Sequence, residues 1–186
     1  MSLEDAALSE LRASAHPVRL RMMSLLTGAA MSAAELAREL DITQANASYH
    51  LRMLAKAGQV EIVQTESVRG GRAKKYRYRY PRKKASPTGG PHRGATAEEW
   101  QQYIHVLHRE LVRRSEHRID GQALSTDAEV WVTPETWQKA RELVQEASRL
   151  VHQEALHPHT AGSVHVNFQA ELFRMQDQRD EAAGEA

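Results

Sequence analysis

The chain has 186 residues, of which 41% are hydrophobic, so it can build one large domain or two small domains with real cores. It contains no cysteine, which excludes disulfides, thiolate metal sites and cysteine nucleophiles. No run approaches the roughly 20 apolar residues of a membrane span, and the first residues lack the basic and apolar regions of a signal peptide. We therefore expect a globular cytoplasmic protein that does not associate with membranes.

Charge is distributed unevenly along the chain, although the net charge is only +1. Residues 1–91 carry 15 Lys and Arg against 8 Asp and Glu, a balance of +7, whereas residues 92–186 carry 10 against 16, a balance of −6. This asymmetry favours a module that binds a polyanion, joined to a second part with another role.

The first 40 residues carry the spacing of three helices. Residues 3–15 are predicted to form a short amphipathic helix, and Pro17 is suited to the first turn of the next, largely apolar helix, which ends at Thr27-Gly28. Ser32 and Glu35 then form an S-x-x-E capping box that opens a helix over residues 33–40. A turn over residues 41–43 leads directly into a fourth helix.

Residues 43–57 are predicted to be the second helix of a helix-turn-helix, which enters the major groove of DNA. Thr43 can cap this helix, and Gly58 supplies the left-handed position that ends it. At 100° per residue its inner face carries Ala47, Leu51 and Leu54. Its outer face combines small, hydrogen-bonding and cationic residues, the mixture that suits a groove: Ala45, Asn46, Ser48, Tyr49, Arg52 and Lys56. An ordinary amphipathic surface helix is the alternative.

A hairpin is predicted after Gly58. Residues 60–65 alternate as a strand, Gly70-Gly71 marks the turn, and residues 72–80 return as a second strand with tyrosines on one face and cations on the other. The tip, residues 67–74, carries Arg69, Arg72 and Lys74, which suit contact with a phosphate backbone or a minor groove. The alternative is a solvated charged hairpin. We interpret the tyrosines as inward packing residues.

These segments in this order resemble the winged helix-turn-helix domain of the ArsR superfamily of bacterial transcription regulators. The matching stretches are HPVRLRMMSLL (16–26), AAELARELDIT (33–43), QANASYHLRMLAKAGQV (44–60) and RGGRAKKYRY (69–78). The resemblance implies a homodimer that binds an inverted-repeat operator and usually represses. By position it implies DNA contacts from Gln44, Ser48, Tyr49, His50, Arg52 and Arg72.

The combined prediction for double-stranded DNA is therefore a set of helix and wing residues: Gln44, Asn46, Ser48, Tyr49, His50, Arg52, Lys56, Arg69, Arg72 and Lys74. His50 has two further interpretations, because its position 60° from the apolar centre also fits a half-buried residue bonded to a neighbouring helix or a phosphate contact.

The second half is predicted to be an alpha plus beta module, so that the fold class is mainly α with small β. Thr96 and Glu99 form a capping box for a helix reaching roughly Ile119. Thr133-Pro134 starts another helix with apolar residues on two sides, which predicts that it is sandwiched between two layers. Residues 129–133 and 164–173 alternate as strands and are predicted to pair. We divide the chain into a winged helix-turn-helix domain (1–86), a linker (87–97), a module for dimerisation and possible ligand binding (98–175) and a disordered tail (176–186).

Several residues were weighed for other chemistry. His105 and His108 have i, i+3 spacing and are candidates for a metal-responsive repressor, although one helix cannot add a third ligand from His117; surface histidines are the alternative. Trp100, Trp131 and Trp137 are candidates for contact with an apolar or amphipathic small-molecule effector, and core packing explains them equally.

No phosphate loop or G-x-S-x-G turn occurs, and no paired carboxylates stand in a plausible strand-end setting, so we predict a protein that is not an enzyme and has no cofactor. The function predicted is a homodimeric, sequence-specific transcriptional regulator, and a winged-helix module that binds RNA or a protein partner is the remaining alternative.

Overall fold

The computed structural model describes residues 9, 11–68, 71–79 and 95–176. The described part is mostly helical with one small antiparallel sheet, and its elements are α1 (Pro17–Gly28), β1 (Met31–Ser32), α2 (Ala33–Leu40), α3 (Gln44–Lys56), β2 (Val60–Val68), β3 (Gly71–Tyr78), α4 (Ala97–Ser115) and α5 (Pro134–Gln153). Most of the predicted linker, the wing residues 69 and 70, and nearly all of the predicted tail lie outside the described residues.

Helix α1 begins where the sequence places a helix start. The Nδ1 atom of His16 accepts a hydrogen bond from the backbone N–H of Val18 at 3.2 Å, and Pro17 occupies the first turn, where its missing N–H costs nothing. Met22 and Leu26 are fully buried in the core that α1 shares with α2, α3 and the sheet. Helix α1 is therefore the central support of the helix-turn-helix.

The two helices that follow are fixed by local signals. Glu35 and Ser32 form both hydrogen bonds of the predicted capping box, with the Ser32 N–H donating to Glu35 at 2.7 Å. Asp41 takes a left-handed conformation (φ 51°) that ends α2, and Ile42 in the turn packs partly against the core. Thr43 then caps α3 by accepting from the N–H of Asn46 at 3.2 Å. This capped helix, turn and capped helix form a helix-turn-helix.

A three-stranded sheet in the order β1-β3-β2 stands beside these helices. Strands β2 and β3 form the predicted hairpin, with Val60 opposite Tyr78 at the base and Ser67 opposite Arg72 near the tip. The register shifts between Ile62 and Gln64, as at a β-bulge. Tyr76 and Tyr78 pack against the helical core, as expected for the inward face.

Residues of the C-terminal half contact α1, the segment before α1, and α2, where His159 lies 3.2 Å from Glu39. Glu110 of α4 pairs with Arg21 of α1 at 3.0 Å, and Glu99 pairs with Arg12 at 2.6 Å. The end of α1 also approaches the chain beyond α5 closely, because a β-carbon added at Gly28 would overlap the carbonyl oxygen of Leu156 and lie 2.8 Å from its carbonyl carbon. Glycine is therefore required at this crossing.

The predicted C-terminal strand pair is wrong within the described residues, because neither residues 129–133 nor residues 164–173 form a strand. Alternation shows only that one face could be buried, whereas a strand also needs a hydrogen-bonded neighbour. The C-terminal region is thus helical with irregular segments, and not alpha plus beta. The second of these segments lies along α4, where Asn167 accepts a hydrogen bond from Arg114 at 3.1 Å.

Two expectations for the C-terminal helices also need correction. Helix α4 starts at the predicted capping box, with hydrogen bonds of 3.1 and 3.2 Å between Thr96 and Glu99, but it ends at Ser115 and does not reach Ile119. Helix α5 is not covered on both apolar sides, because Leu143 and Leu150 are 55% and 62% exposed.

Candidate nucleic-acid interface

The inner face of α3 is anchored by the residues that the sequence indicates. Ala47, Leu51 and Leu54 are at most 1% exposed and belong to the core cluster. Leucines of this kind stabilise a fold by about 2–3 kcal/mol each when they are fully buried. The opposite face of α3 is consequently held outward in a fixed orientation, with a small residue, Ala47, allowing α2 to approach.

The outer face of α3 is accessible to a partner. Most of the predicted contact residues on the helix are exposed, and Ser48 is half-buried; the exposed ones are Gln44, Asn46, Tyr49, Arg52 and Lys56. They include a planar guanidinium, an ammonium, a phenol and amide groups. Such side chains can donate to phosphates and to base edges, and an exposed Ala45 can contact a thymine methyl group.

His50 differs from the other predicted contacts because it is only 5% exposed. Its ring lies 4.6 Å from that of His16, measured between centroids, and its Nδ1 atom has no hydrogen-bond partner among the described residues. Burial, together with the neighbouring His16 and Arg19, lowers the pKa of His50, and burial and Arg19 lower the pKa of His16. The two rings therefore pack as neutral groups between α3 and the start of α1, which fits the half-buried alternative for His50 better than a contact with DNA.

The wing adds cations at the far end of the hairpin. Arg72 and Lys74 on β3 are exposed, whereas the third predicted wing residue, Arg69, lies outside the described residues. Their neighbour Lys75 is engaged elsewhere, since its ammonium lies 3.7 Å from Glu35 and 3.4 Å from Glu66.

Charge pairing separates the cations of this region into two groups. Lys75 and Arg79 have carboxylate partners, Arg79 pairing with Glu61 at 3.6 Å. Within the described residues, by contrast, no carboxylate pairs with Arg52 or Lys56 of α3 or with Arg72 or Lys74 of β3. Unpaired exposed cations on a recognition helix and its wing are available to phosphates.

One residue on the exposed side of α3 is not among the predicted contacts. Met53 is 37% exposed, although an apolar residue in this helix would ordinarily face the core. It follows Tyr49 by one helical turn, so the two present a continuous apolar strip next to Arg52. On a helical wheel Met53 lies beside Tyr49, and this position indicates that Met53 belongs to the outer face.

The candidate metal and effector residues are placed differently. Trp100, His105 and His108 line one cleft on α4, while Trp137 is half-buried on α5 and Trp131 is 83% exposed. The three tryptophans therefore do not line one cleft. Across the part of the chain that the structure describes, no three histidine or carboxylate groups are arranged to hold a metal ion.

A family model described as a helix-turn-helix domain matches residues 15–63, the segment from Ala15 through α3 into β2. Together with the β2–β3 hairpin, this match supports a winged helix-turn-helix regulator in general, and it suggests that the chain binds DNA. A search of curated proteins finds no relative that matches this chain. None of the described helices is long and apolar enough to cross a membrane.

Proposed function

We propose that this chain is a sequence-specific DNA-binding transcription regulator, and not an enzyme, whose α3 enters the major groove while the β2–β3 wing contacts the flanking backbone. The observation that carries the proposal is the outer face of α3, where Arg52 and Lys56 are exposed and without carboxylate partners among the described residues. Cations grouped on one helix face beside a basic hairpin form the electrostatic footprint that suits a polyanion.

We further propose an ArsR-like homodimer that represses from an inverted-repeat operator. The family resemblance supports this, and so do large apolar side chains left in water by the single chain: Leu124 (96%), Trp131 (83%), Val164 (82%), Leu150 (62%) and Leu143 (55%). A dimer interface would remove side chains of this kind from water. A twofold dimer requires half-sites about one helical turn, roughly 34–36 Å, apart or a multiple of it.

The experiment begins by selecting bound sequences from random duplex DNA and then measures affinity by fluorescence anisotropy at two salt concentrations. Arg52→Ala should weaken binding to the selected duplex by about tenfold or more and relax sequence preference. Lys56→Ala should weaken binding to all duplexes alike and reduce the salt slope by about 1. Arg149→Ala and Lys139→Ala on exposed α5 are the matched controls, with unchanged affinity expected.

Unchanged duplex affinity of both α3 variants at low salt, where phosphate contacts are strongest, overturns the DNA-binding proposal. Preferential binding of single-stranded or structured RNA overturns it in favour of an RNA-binding module. A monomeric mass at the concentrations that bind DNA overturns the dimer, and derepression of an operator-linked reporter when the protein is deleted supports the repressor role.

A further inference from the structure

A cleft of about 460 Å³ lies between α4 and the segment that follows α5. Pockets that bind small molecules usually fall between about 300 and 1,000 Å³, so this space fits a compact ligand. Trp100, Ile104 and Leu107 form its wall on α4, and Phe173 closes the opposite side. Trp100 and Phe173 meet edge to face, with ring centroids 6.4 Å apart and planes at 81°.

One carboxylate faces this apolar space. Glu171 lines the cleft, and no cation or hydrogen-bond donor in the described ranges pairs with it. The residue stays open to solvent at the surface, yet partial burial of its carboxyl raises the pKa to about 7. A positive charge placed beside Glu171 would stabilise the ionised carboxylate that this surrounding otherwise disfavours.

The surrounding aromatic rings add a second preference for positive charge. Trp100 and Phe173 line the cleft together with Glu171, and their ring centroids are 6.4 Å apart; the ring of Tyr103 lies 5.8 Å from that of Trp100, outside the cleft lining. Aromatic faces attract cations within about 6 Å, and grouped rings are a common means of binding organic ammonium ions. Metal coordination does not compete, because Glu171, His105 and His108 are not arranged as a metal-binding group.

We propose that this cleft binds an organic cation, an amine or quaternary ammonium attached to an apolar or aromatic body, with Glu171 as its counter-ion and Trp100 and Phe173 as its aromatic contacts. Binding of the cation does not depend on the proposed function of the chain. The role of the cation as a regulatory effector rests on that proposed function.

Tyr103 connects the cleft to the wing. This half-buried tyrosine interacts with both Glu171 and Tyr78 of β3, and desolvation followed by these two neighbours raises the pKa of Tyr103. Tyr78 stands opposite Val60 at the base of the hairpin. A cation that changes the charge and position of Glu171 therefore acts on the ring of Tyr103. This ring is next to Tyr78 of the β2–β3 wing, which is proposed to contact the DNA backbone.

The test titrates the purified full chain with benzyltrimethylammonium and with its neutral isostere, (2,2-dimethylpropyl)benzene, by calorimetry and tryptophan fluorescence. We expect the cation to bind at least tenfold more tightly than the isostere, and Glu171→Gln to lower cation affinity by about tenfold. Glu129→Gln, which removes the same charge from an exposed residue outside the cleft, should leave affinity unchanged.

A second readout follows the proton of Glu171. Because its pKa is about 7, cation binding at pH 7 should release up to about half a proton, measured by calorimetry in buffers of different ionisation enthalpy. His105 and His108 are the other titratable groups that line the cleft, and Tyr103 interacts with Glu171. The proton release must therefore disappear in Glu171→Gln to support the assignment.

Any of three results overturns the site: equal affinity for the cation and its isostere, unchanged cation affinity in Glu171→Gln, or no binding of the cation at about 1 mM. A dissociation constant of about 1 mM is the weakest affinity that would define a site. A mass measurement showing that a second copy covers the cleft and blocks the cation overturns it as well. Cation binding with no change in duplex affinity overturns only the link through Tyr103. Loss of DNA binding in every assay, with cation binding retained, overturns the proposed function and leaves the site standing.

Discussion

The ion-pair cluster around Glu110 is expected to hold α4 on the helix-turn-helix. The side chain of Glu110 is 3% exposed. It pairs with the guanidinium groups of Arg21 and Arg113, each at 3.0 Å, and with that of Arg114 at 4.0 Å. Burial alone would raise the pKa of Glu110, but hydrogen bonds from Arg21 and Arg113 outweigh it and hold the pKa below its usual value. The carboxylate is therefore charged and paired in the folded protein.

Glu110→Gln keeps the shape of the side chain and removes its charge. The amide oxygen of Gln still accepts from one guanidinium, but its NH2 group cannot accept from the other. A charge-assisted hydrogen bond contributes about 1.5–3 kcal/mol; one is lost and the other weakened, and the guanidinium groups remain partly solvated, so we expect a net loss of about 2 kcal/mol. For a chain of this size, that loss lowers the melting temperature by about 4–8 °C. Glu129→Gln, an exposed carboxylate, should shift it by less than about 1 °C.

A double-mutant cycle with Arg21→Gln isolates the bond between α1 and α4. We expect a coupling energy of about 1–2 kcal/mol from urea unfolding at pH 7. Because the pKa of Glu110 is depressed from 4.5, the stabilisation is present above pH 4.5 and is lost as pH falls through the lower value of the folded state. The prediction is wrong if the losses in the free energy of unfolding of the two single variants add up to that of the double variant. It is also wrong if Glu110→Gln is as stable as the parent protein.

Three further outcomes are expected. Gly28→Ala should cost about 1–3 kcal/mol and expose the chain around Leu156 to limited proteolysis, because the added methyl overlaps that backbone. The pKa values of His16 and His50 are lowered from 6.5, so the stability that they contribute is present above pH 6.5 and declines as pH falls below it. The free energy of unfolding, measured with urea, should therefore differ less between pH 7.5 and pH 5 in His50→Asn than in the parent protein. Ser32→Ala should cost about 1 kcal/mol in thermal unfolding by removing the capping hydroxyl.

Elements of this fold that depend on neighbours in the sequence could be predicted from it. The N-caps Ser32, Thr43, Thr96 and Thr133 each accept from an N–H three residues on, so the signal and the bond lie within one turn. The left-handed Gly58 likewise follows from a local need, since its φ is 74° at the end of α3. These positions fix the helix-turn-helix and the exposed face of its second helix.

Features that depend on distant contacts could not be predicted in the same way. Glu110 has the pattern of a solvated charge on α4, and its partner Arg21 stands 89 residues earlier. The burial of His50 depends on His16, which meets it only when α3 packs on α1. The predicted pairing of residues 129–133 with 164–173 failed for the same reason, because alternation in one segment carries no information about which other segment lies beside it.

Helix α1 connects the proposed DNA-reading surface to the cleft. Its inner face, with Met22 and Leu26, packs in the core that orients α3, while its outer residues Arg21 and Gly28 contact α4 and the chain near Leu156. Close-packed contacts of this kind transmit displacement because the interior has little free volume to absorb it. A ligand on α4 would therefore act on the helix-turn-helix by two routes, through α1 to α3 and through Tyr103 to the wing. Breaking the ion pair between Glu110 and Arg21 should weaken only the route through α1 to α3.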